Sequence, residues 1–583
     1  MTLDIVPAEE MHEEALVTLS DGGLGSPGGL PARSVATPDG PSTAELTAPV
    51  GAVGDSMTVA MWTTLSRVTG FVRVATVAAV LGPTFFGNTY QFTNSLPNLV
   101  YYGFLAGSLF SSLLVPALVR HIDRGDKSAA ERVASGLFGA VCVGMVVLLP
   151  IAILVTPEVL RLASLGGSSA ANPAGELGVA RLLVAMLMPQ ILFYGVIGTA
   201  TAVQNAYRRF ALPAAAPVLE NVGTIAVLVL VRFLFPPVRS FANVPLAELL
   251  LLGLGSTAAV GIHAAVQWWG ARRVGVTLRP RVGWRNPEVR VVMRRAVPSL
   301  VQAGAAALQL IVLLVLADRV AGGVVAFQIS LNFYFLPVAI AATPVALSLI
   351  PRLARIEGHS AAFHDTLVRG LAFAGFLALP AATGYVVLAG PLGRAVALGR
   401  MNAPAAIGLV SSSIRTLGPG LIGEAAFLII TYAAYARRDT RTPLRAMGIQ
   451  MLVCLPIAVA SLSLHGAAVL SVLGAALSAG TLVSAGALYF MVASSDPGHE
   501  RLGRPLARFA FGAVAMAGPA WLTAHYVGGA LSGRPGSELA VLGAVLAGGL
   551  VFVGVQLAWR SRELGWVAAS FGMGRRFSDE AFE

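Results

Sequence analysis

The chain has 583 residues, of which 56% are hydrophobic and only 12% charged, with a formal net charge of +11. Soluble domains typically carry about 25% charged residues, and a single soluble core stops growing well short of this length. The composition therefore excludes a soluble globular protein and requires lipid as solvent. The positive excess is nearly all arginine, Lys127 being the sole lysine, and in such a chain it reflects positive charge kept on cytoplasmic turns rather than binding of nucleic acid.

In chain order, residues 1–55 are polar and hold nine acidic residues against one basic residue, Arg33. No basic stretch precedes an apolar core there, so the segment is not a cleavable signal peptide. It reads as a disordered acidic cytoplasmic tail, either an unselected leader or a partner-binding segment. Apolar runs of bilayer length follow at 57–82, 88–118, 133–155, 178–205, 213–235, 244–270, 295–317, 324–350, 366–391, 404–435, 443–464, 466–493, 506–528 and 538–559. Backbone polar groups cannot go unpaired in hydrocarbon and barrel strands are far shorter, so these are expected to be about fourteen transmembrane helices.

The turns between runs alternate in charge. Arg120 to Arg132, Arg208–Arg209, Arg272 to Arg295, Arg352 to Arg369, Arg437 to Arg445 and Arg501 to Arg508 form one set, and the intervening turns are poor in charge apart from Arg394 and Arg400. This bias predicts both termini in the cytoplasm. Two signatures recur about 230 residues apart: Leu114–Arg120 returns as Leu349–Arg355, and Tyr207–Pro213 returns, one residue longer, as Ala436–Pro443. Self-similarity at one offset implies two copies of a six-helix unit in the same orientation, a common plan for a rocking transporter. The expected organisation is an all-α polytopic membrane protein: a tail over 1–55, a six-helix bundle over 56–270, a basic linker over 271–294, a second bundle over 295–495, two further helices over 496–560, and a cytoplasmic tail over 561–583.

Charges at membrane depth are expensive and usually face a cavity. Arg67 and Arg73 lie in the first run, about two turns apart on roughly one face, and their forked donors suit a phosphate or pyrophosphate. The alternative for Arg67 is to snorkel to the inner surface. Glu220, beside Asn221, and Glu424 are lone mid-run carboxylates, candidates for coupling a proton or cation or for a structural hydrogen bond between helices. His263 reads as a packed polar residue before a proton relay. Asn88, Asn94, Asn98, Gln302, Gln309 and Asn332 either line a shared cavity or join helices. Pro97, Pro298, Pro337, Pro344 and Pro419 mark places where helices bend. There is no phosphate-binding glycine loop and no His-Glu-x-x-His or Cys-x-x-Cys site, so neither an ATPase nor a metal centre is expected. Neither an enzyme nor a cofactor is expected.

The segment Ser66-Arg67-Val68-x-Gly70-Phe71-x-Arg73, followed by Leu96-Pro97-Asn98-Leu99 and Val115-Pro116, resembles the MurJ/MviN lipid II flippase family of the MATE-like/oligosaccharide-flippase superfamily. Asn205-x-x-x-Arg209-Phe210-x-x-Pro213-x-x-Ala216-Pro217-x-x-x-Asn221 and Tyr435-x-Arg437-x-Asp439-x-x-Thr442-Pro443 are similar to two later segments of that family. The resemblance implies fourteen helices in the cytoplasmic membrane. It also implies a cationic cavity between the bundles that carries a polyprenyl-pyrophosphate-linked glycan, lipid II first among them, by alternating access. Arg67 and Arg73 match two of its cavity arginines. Elsewhere the pattern departs: Tyr101-Tyr102 stand where the family has an arginine pair, Val74 where it has an acidic residue, and Asn332 where it has an arginine, with Arg294 and Arg295 as substitutes at the inner mouth. The resemblance thus implies a less cationic cavity than usual. It leaves as alternatives an exporter of another lipid-linked polysaccharide intermediate or of drugs, and a non-transporting scaffold that holds cell-wall synthesis proteins through its acidic tail. A membrane glycosyltransferase is disfavoured, because no outer loop is long enough for a domain with paired carboxylates.

Overall fold

The computed structural model describes residues 50–101, 114–165, 173–237, 241–281, 287–354, 356, 360–493, 500–531 and 533–565. Within these the chain is a succession of helices: α1 Val50–Leu81, α2 Phe85–Tyr101, α3 Val115–Asp123, α4 Lys127–Leu165, α5 Pro173–Leu187, α6 Gln190–Ala206, α7 Ala211–Leu234, α8 Leu246–Arg273, α9 Pro287–Ala317, α10 Gly323–Pro337, α11 Thr343–Ala354, α12 Ala361–Val396, α13 Pro404–Leu417, α14 Gly420–Ala436, α15 Arg441–Val459, α16 Ala467–Ala493, α17 Gly503–Ala530 and α18 Gly533–Ala558. All packing described below lies within the compact unit Asp55–Glu583.

Among the described residues, twelve helical segments are long and apolar enough to cross a membrane, and thirteen with the bent pair α13–α14. The expectation of about fourteen differs for identifiable reasons. The run at 88–118 crosses residues 102–113, which lie outside the described residues. The run at 404–435 is broken at Gly418–Pro419 and bent by 49°, as a proline without an amide proton would bring about. The expected tail over 1–55 lies outside the described residues except for 50–55, which open α1, and of the tail over 561–583 only 561–565 are described. Outward side chains are apolar, Phe233, Leu452 and Leu550 being 81%, 76% and 74% exposed, as helices bathed in lipid require.

Helices α2 and α4 to α8 pack on one another, as do α9 to α16, while α17 and α18 pack together and lie on α12. There Phe376 meets Phe509 and Phe552 at centroid distances of 5.5 and 5.3 Å. The linker after α8 is held down: Val276 and Leu278 are buried, and the Arg281 amide donates to the Ser135 carbonyl of α4 at 3.3 Å.

The second sequence repeat is a repeat of geometry. Arg208 and Arg438, 230 residues apart, both have left-handed backbones, with φ of 57° and 60°. The Arg208 and Arg209 amides donate to Asn205 and Gln204 carbonyls, and the Arg438 and Asp439 amides to Tyr435 and Ala434 carbonyls. Each is the hydrogen-bond pattern that closes a helix at a left-handed residue. Glycine is usual there, and an arginine costs about 1–2 kcal/mol of backbone strain. After the second turn Asp439 accepts from the Arg441 and Thr442 amides at 2.9 and 3.0 Å, capping α15. Burial opposes its ionisation, but bonds from the Thr442 hydroxyl and these amides, with Arg445 nearby, hold its carboxyl below the usual range.

Candidate functional site

On α1, Ser66, Gly70 and Arg73 recur at spacings of four and three and line a cavity together with residues of α7. On α7, Glu220 and Asn221 lie on the buried stripe that runs through Ala216, Thr224 and Leu228. The Asn221 side-chain amide donates to the Ser66 carbonyl and to the Thr69 hydroxyl, both at 3.1 Å. Arg73 lies 3.5 Å from Glu220 Oε1, their side chains 27% and 10% exposed. The Tyr194 hydroxyl of α6 donates to the same oxygen at 3.0 Å, and His263 Nδ1 of α8 lies 2.9 Å from Glu220 Oε2. Tyr194 in turn stacks on Tyr101, centroids 5.4 Å apart. Tyr101, expected to replace a cavity arginine, is thus buried behind Tyr194 and is not among the residues lining the cavity, and Tyr102 lies outside the described residues.

Ser66, Gly70, Arg73, Tyr194, Glu220 and His263 line one side of a polar cavity of about 650 Å³ whose other walls are α2 and α10. Gln91, Asn94, Ser95 and Asn98 give α2 a polar stripe, and Gln328 and Asn332 face it from α10. Gln328 donates to Ser95 at 3.0 Å across the seam. A second compartment, about 520 Å³ and mostly apolar, adjoins the first. Phe71, Leu310, Leu331 and Phe335 line it, and it shares Arg67, Leu99, Gln328 and Asn332 with the polar cavity.

Arg67, Arg73, Asn98, Asn332 and Glu220 are thus brought together. The two arginines do not share one face, because six residues at 100° each leave them about 120° apart: Arg73 turns to Glu220 while Arg67 stands at the boundary of the two compartments. Asn88 lies ten residues before Asn98, about 15 Å farther along α2, and is outside the cavity lining. It is fully buried, its amide donating to the Val320 carbonyl at 2.8 Å and its carbonyl accepting from the Val324 amide at 3.1 Å. It therefore closes the far end of the seam. At that same end Arg400 donates to the Leu81 carbonyl at 2.9 Å, and Gly322, with φ of 75°, lies against Pro83 so closely that a Cβ would sit 2.5 Å from its Cα.

Gln302 is also outside the lining, accepting from the Tyr435 hydroxyl at 2.8 Å. Gln309 accepts from Gln450 at 3.0 Å, and Glu424 accepts from Tyr334 at 3.3 Å inside the second helix group. All three join helices. Arg294 is exposed, and the Arg295 side chain lies outside the described residues. Tyr194, Gln91 and Gln328 line the cavity without having been singled out in the sequence. Gln91 and Gln328 were accessible to pattern reasoning, each lying three or four residues from an asparagine already noted. Tyr194 carries no such signal. Among the described residues no cluster of His, Cys, Asp or Glu is arranged to hold a metal ion.

Comparison with known proteins bears on the family and the fold. The family model "Lipid II flippase MurJ" matches residues 77–530. A lipid II flippase MurJ of Burkholderia cenocepacia is 27% identical over 404 residues, 67% of this chain and 75% of that protein. A probable lipid II flippase MurJ of Rhizobium tropici is 26% identical over 391 residues, 67% of this chain and 71% of the relative. Among solved structures, lipid II flippase MurJ in an inward closed conformation superposes with a TM-score of 0.68 at 16% identity, covering 86% of this chain and 99% of that one. An inward-facing multidrug resistance MATE family transporter of the MOP superfamily gives 0.55 at 13% identity, over 76% and 95% of the two chains. With the matched model spanning most of its length, the chain belongs to the lipid II flippase MurJ family.

Proposed function

We propose that this chain translocates lipid II across the cytoplasmic membrane by alternating access. The observation that carries the reading is the pair of adjoining compartments, one polar and one apolar, that meet at Arg67 and Asn332. An amphiphile with a diphosphate head and a long hydrocarbon chain needs both at once. Dragging the head through hydrocarbon without such a cavity would cost tens of kcal/mol by simple solvation arguments. In this reading Arg73 and Arg67 take the pyrophosphate, the asparagines and glutamines of α2 and α10 take the sugar hydroxyls, and the chain lies along Phe71, Leu331 and Phe335. The arginine-rich turns face the cytoplasm, together with both termini, and the seam at Asn88, Gly322 and Arg400 is the outer gate.

The direct test is growth of a strain depleted of its own lipid II flippase, carrying this chain in its place. Rescue that disappears with Arg73→Ala at equal protein level is the expected result. No rescue by the unaltered chain, in membranes shown to contain it, would refute lipid II as cargo.

A further inference from the structure

We propose that Glu220 is an internal counter-ion for Arg73 which an incoming diphosphate displaces, and that His263 takes up a proton as this happens, so that anion binding in the cavity carries one proton with it. The inference rests on the reading that the cargo's diphosphate engages Arg73.

In the empty cavity Glu220 has three partners: Arg73 at 3.5 Å, the Tyr194 hydroxyl at 3.0 Å and His263 Nδ1 at 2.9 Å. The arginine contact is the longest, well outside the 2.7–2.9 Å usual for a charge-assisted bond. Arg73 is therefore held loosely and can turn to a stronger acceptor. With a neutral imidazole donating through Nδ1, the cluster of Arg73, Glu220 and His263 carries no net charge. The other imidazole nitrogen, Nε2, is buried, has no hydrogen-bond partner and belongs to a side chain that lines the cavity. That nitrogen is thus free of protein partners among the described residues and belongs to a side chain at the cavity where the anion would bind.

When a diphosphate takes Arg73, Glu220 loses its cation and stands as a second anion close to the first. That arrangement is costly in a site of low dielectric constant. Protonation of His263 at Nε2 removes the conflict, because the imidazolium becomes the counter-ion of Glu220 through Nδ1 and presents a new N–H donor at Nε2. Linkage then requires that anion affinity fall as pH rises, by at most about tenfold per pH unit for a single proton. Among the described residues, the other charged or titratable groups lining the cavity with the pair are Arg67 and Arg73 from α1 and Tyr194 from α6; Tyr90 of α2 is bonded to Ser256 of α8, which also lines it. Arginine and tyrosine ordinarily keep one charge state between about pH 5 and pH 8, so the proposal assigns its proton to His263.

The test uses the full chain in lipid nanodiscs and a nucleotide-sugar as probe, a diphosphate diester whose own charges do not change over this interval. Binding heats measured in two buffers of different ionisation enthalpy report the number of protons taken up. The expected result is uptake approaching one proton near neutral pH, and affinity that falls several-fold from about pH 6 to about pH 8. His263→Gln should flatten the pH profile at low affinity. Glu220→Gln should flatten it at high affinity, because the amide no longer competes for Arg73. These opposite signs separate a proton-linked role from a packing role, and thermal unfolding of both variants checks that they fold. Probe binding that is abolished by Arg73→Ala but shows no proton uptake and no pH dependence in the unaltered chain would overturn this inference and leave the cavity assignment standing. Binding indifferent to Arg73 would overturn both.

Discussion

Replacing Arg73 by alanine removes the most enclosed cation of the cavity. Its side chain is 27% exposed and, among the described residues, meets Glu220 at 3.5 Å. Its removal leaves the buried Glu220 carboxylate with Tyr194 and His263 but without its cation. The fold should therefore lose about 1–3 kcal/mol, which thermal unfolding of the variant reads separately from binding. A diphosphate loses a charge-assisted forked contact that contributes about 1.5–3 kcal/mol, which corresponds to a dissociation constant raised about 10- to 150-fold. Arg67 is more exposed and stands at the boundary of the two compartments, so Arg67→Ala should raise it only about two- to fivefold. Arg73→Lys keeps the charge without the fork and should fall between. The assay is displacement of a fluorescent nucleotide-sugar from the protein in nanodiscs, paired with translocation in proteoliposomes. An Arg73→Ala protein that binds within twofold of the parent, or one less affected than Arg67→Ala, would refute the reasoning.

Asn332→Arg adds a cation where the polar and apolar compartments meet, and is expected to strengthen nucleotide-sugar binding by about tenfold and to improve rescue of a flippase-depleted strain. Arg400→Ala removes the bond to the Leu81 carbonyl, and a thiol introduced by Val320→Cys should then react about fivefold faster with an impermeant maleimide, equivalent to about 1 kcal/mol of seam closure. Thiols at Arg281 and His465 should be protected and reactive, respectively, in intact cells, and the reverse pattern would invert the proposed orientation. Asp439→Ala removes the cap of α15 and should lower stability by about 1 kcal/mol. Since the folded carboxyl is held below its unfolded range, that contribution is present above the unfolded value, near pH 4, and is lost as pH falls through the folded one. Melting curves of the parent and of Asp439→Ala should therefore converge in acid.

Much of the fold is readable in the chain because each helix records its membrane length in its own residues. The repeat is readable for a different reason: Arg208 and Arg438 end their helices in the same left-handed turn, and Asp439 begins the next by capping it. Those residues look like a functional motif and are architectural, and so is Asn221, which ties α7 to α1. The bend between α13 and α14 is less legible. Pro419 signals a break in one apolar run, and whether such a run counts as one span or two depends on an angle that composition does not encode.

The site is readable only halfway, and the division has a physical cause. A charge inside an apolar run declares itself, which is why Arg73 and Glu220 stand out. Its partner, however, is set by packing between helices far apart in sequence, 147 residues in the case of Arg73 and Glu220. Phase carries the rest. Asn88 and Asn98 look alike on paper, yet ten residues of helix separate a closed helix seam from a polar cavity. Arg67 and Arg73 look paired, yet the 120° between them sends one to the boundary with the apolar compartment and the other to a carboxylate. Glu424 shows the converse: a lone mid-run carboxylate as conspicuous as Glu220, it meets Tyr334 instead of an arginine and so joins helices where Glu220 lines a polar cavity. What separates the two is the cation opposite, and that is a property of the packed bundle, not of either helix alone.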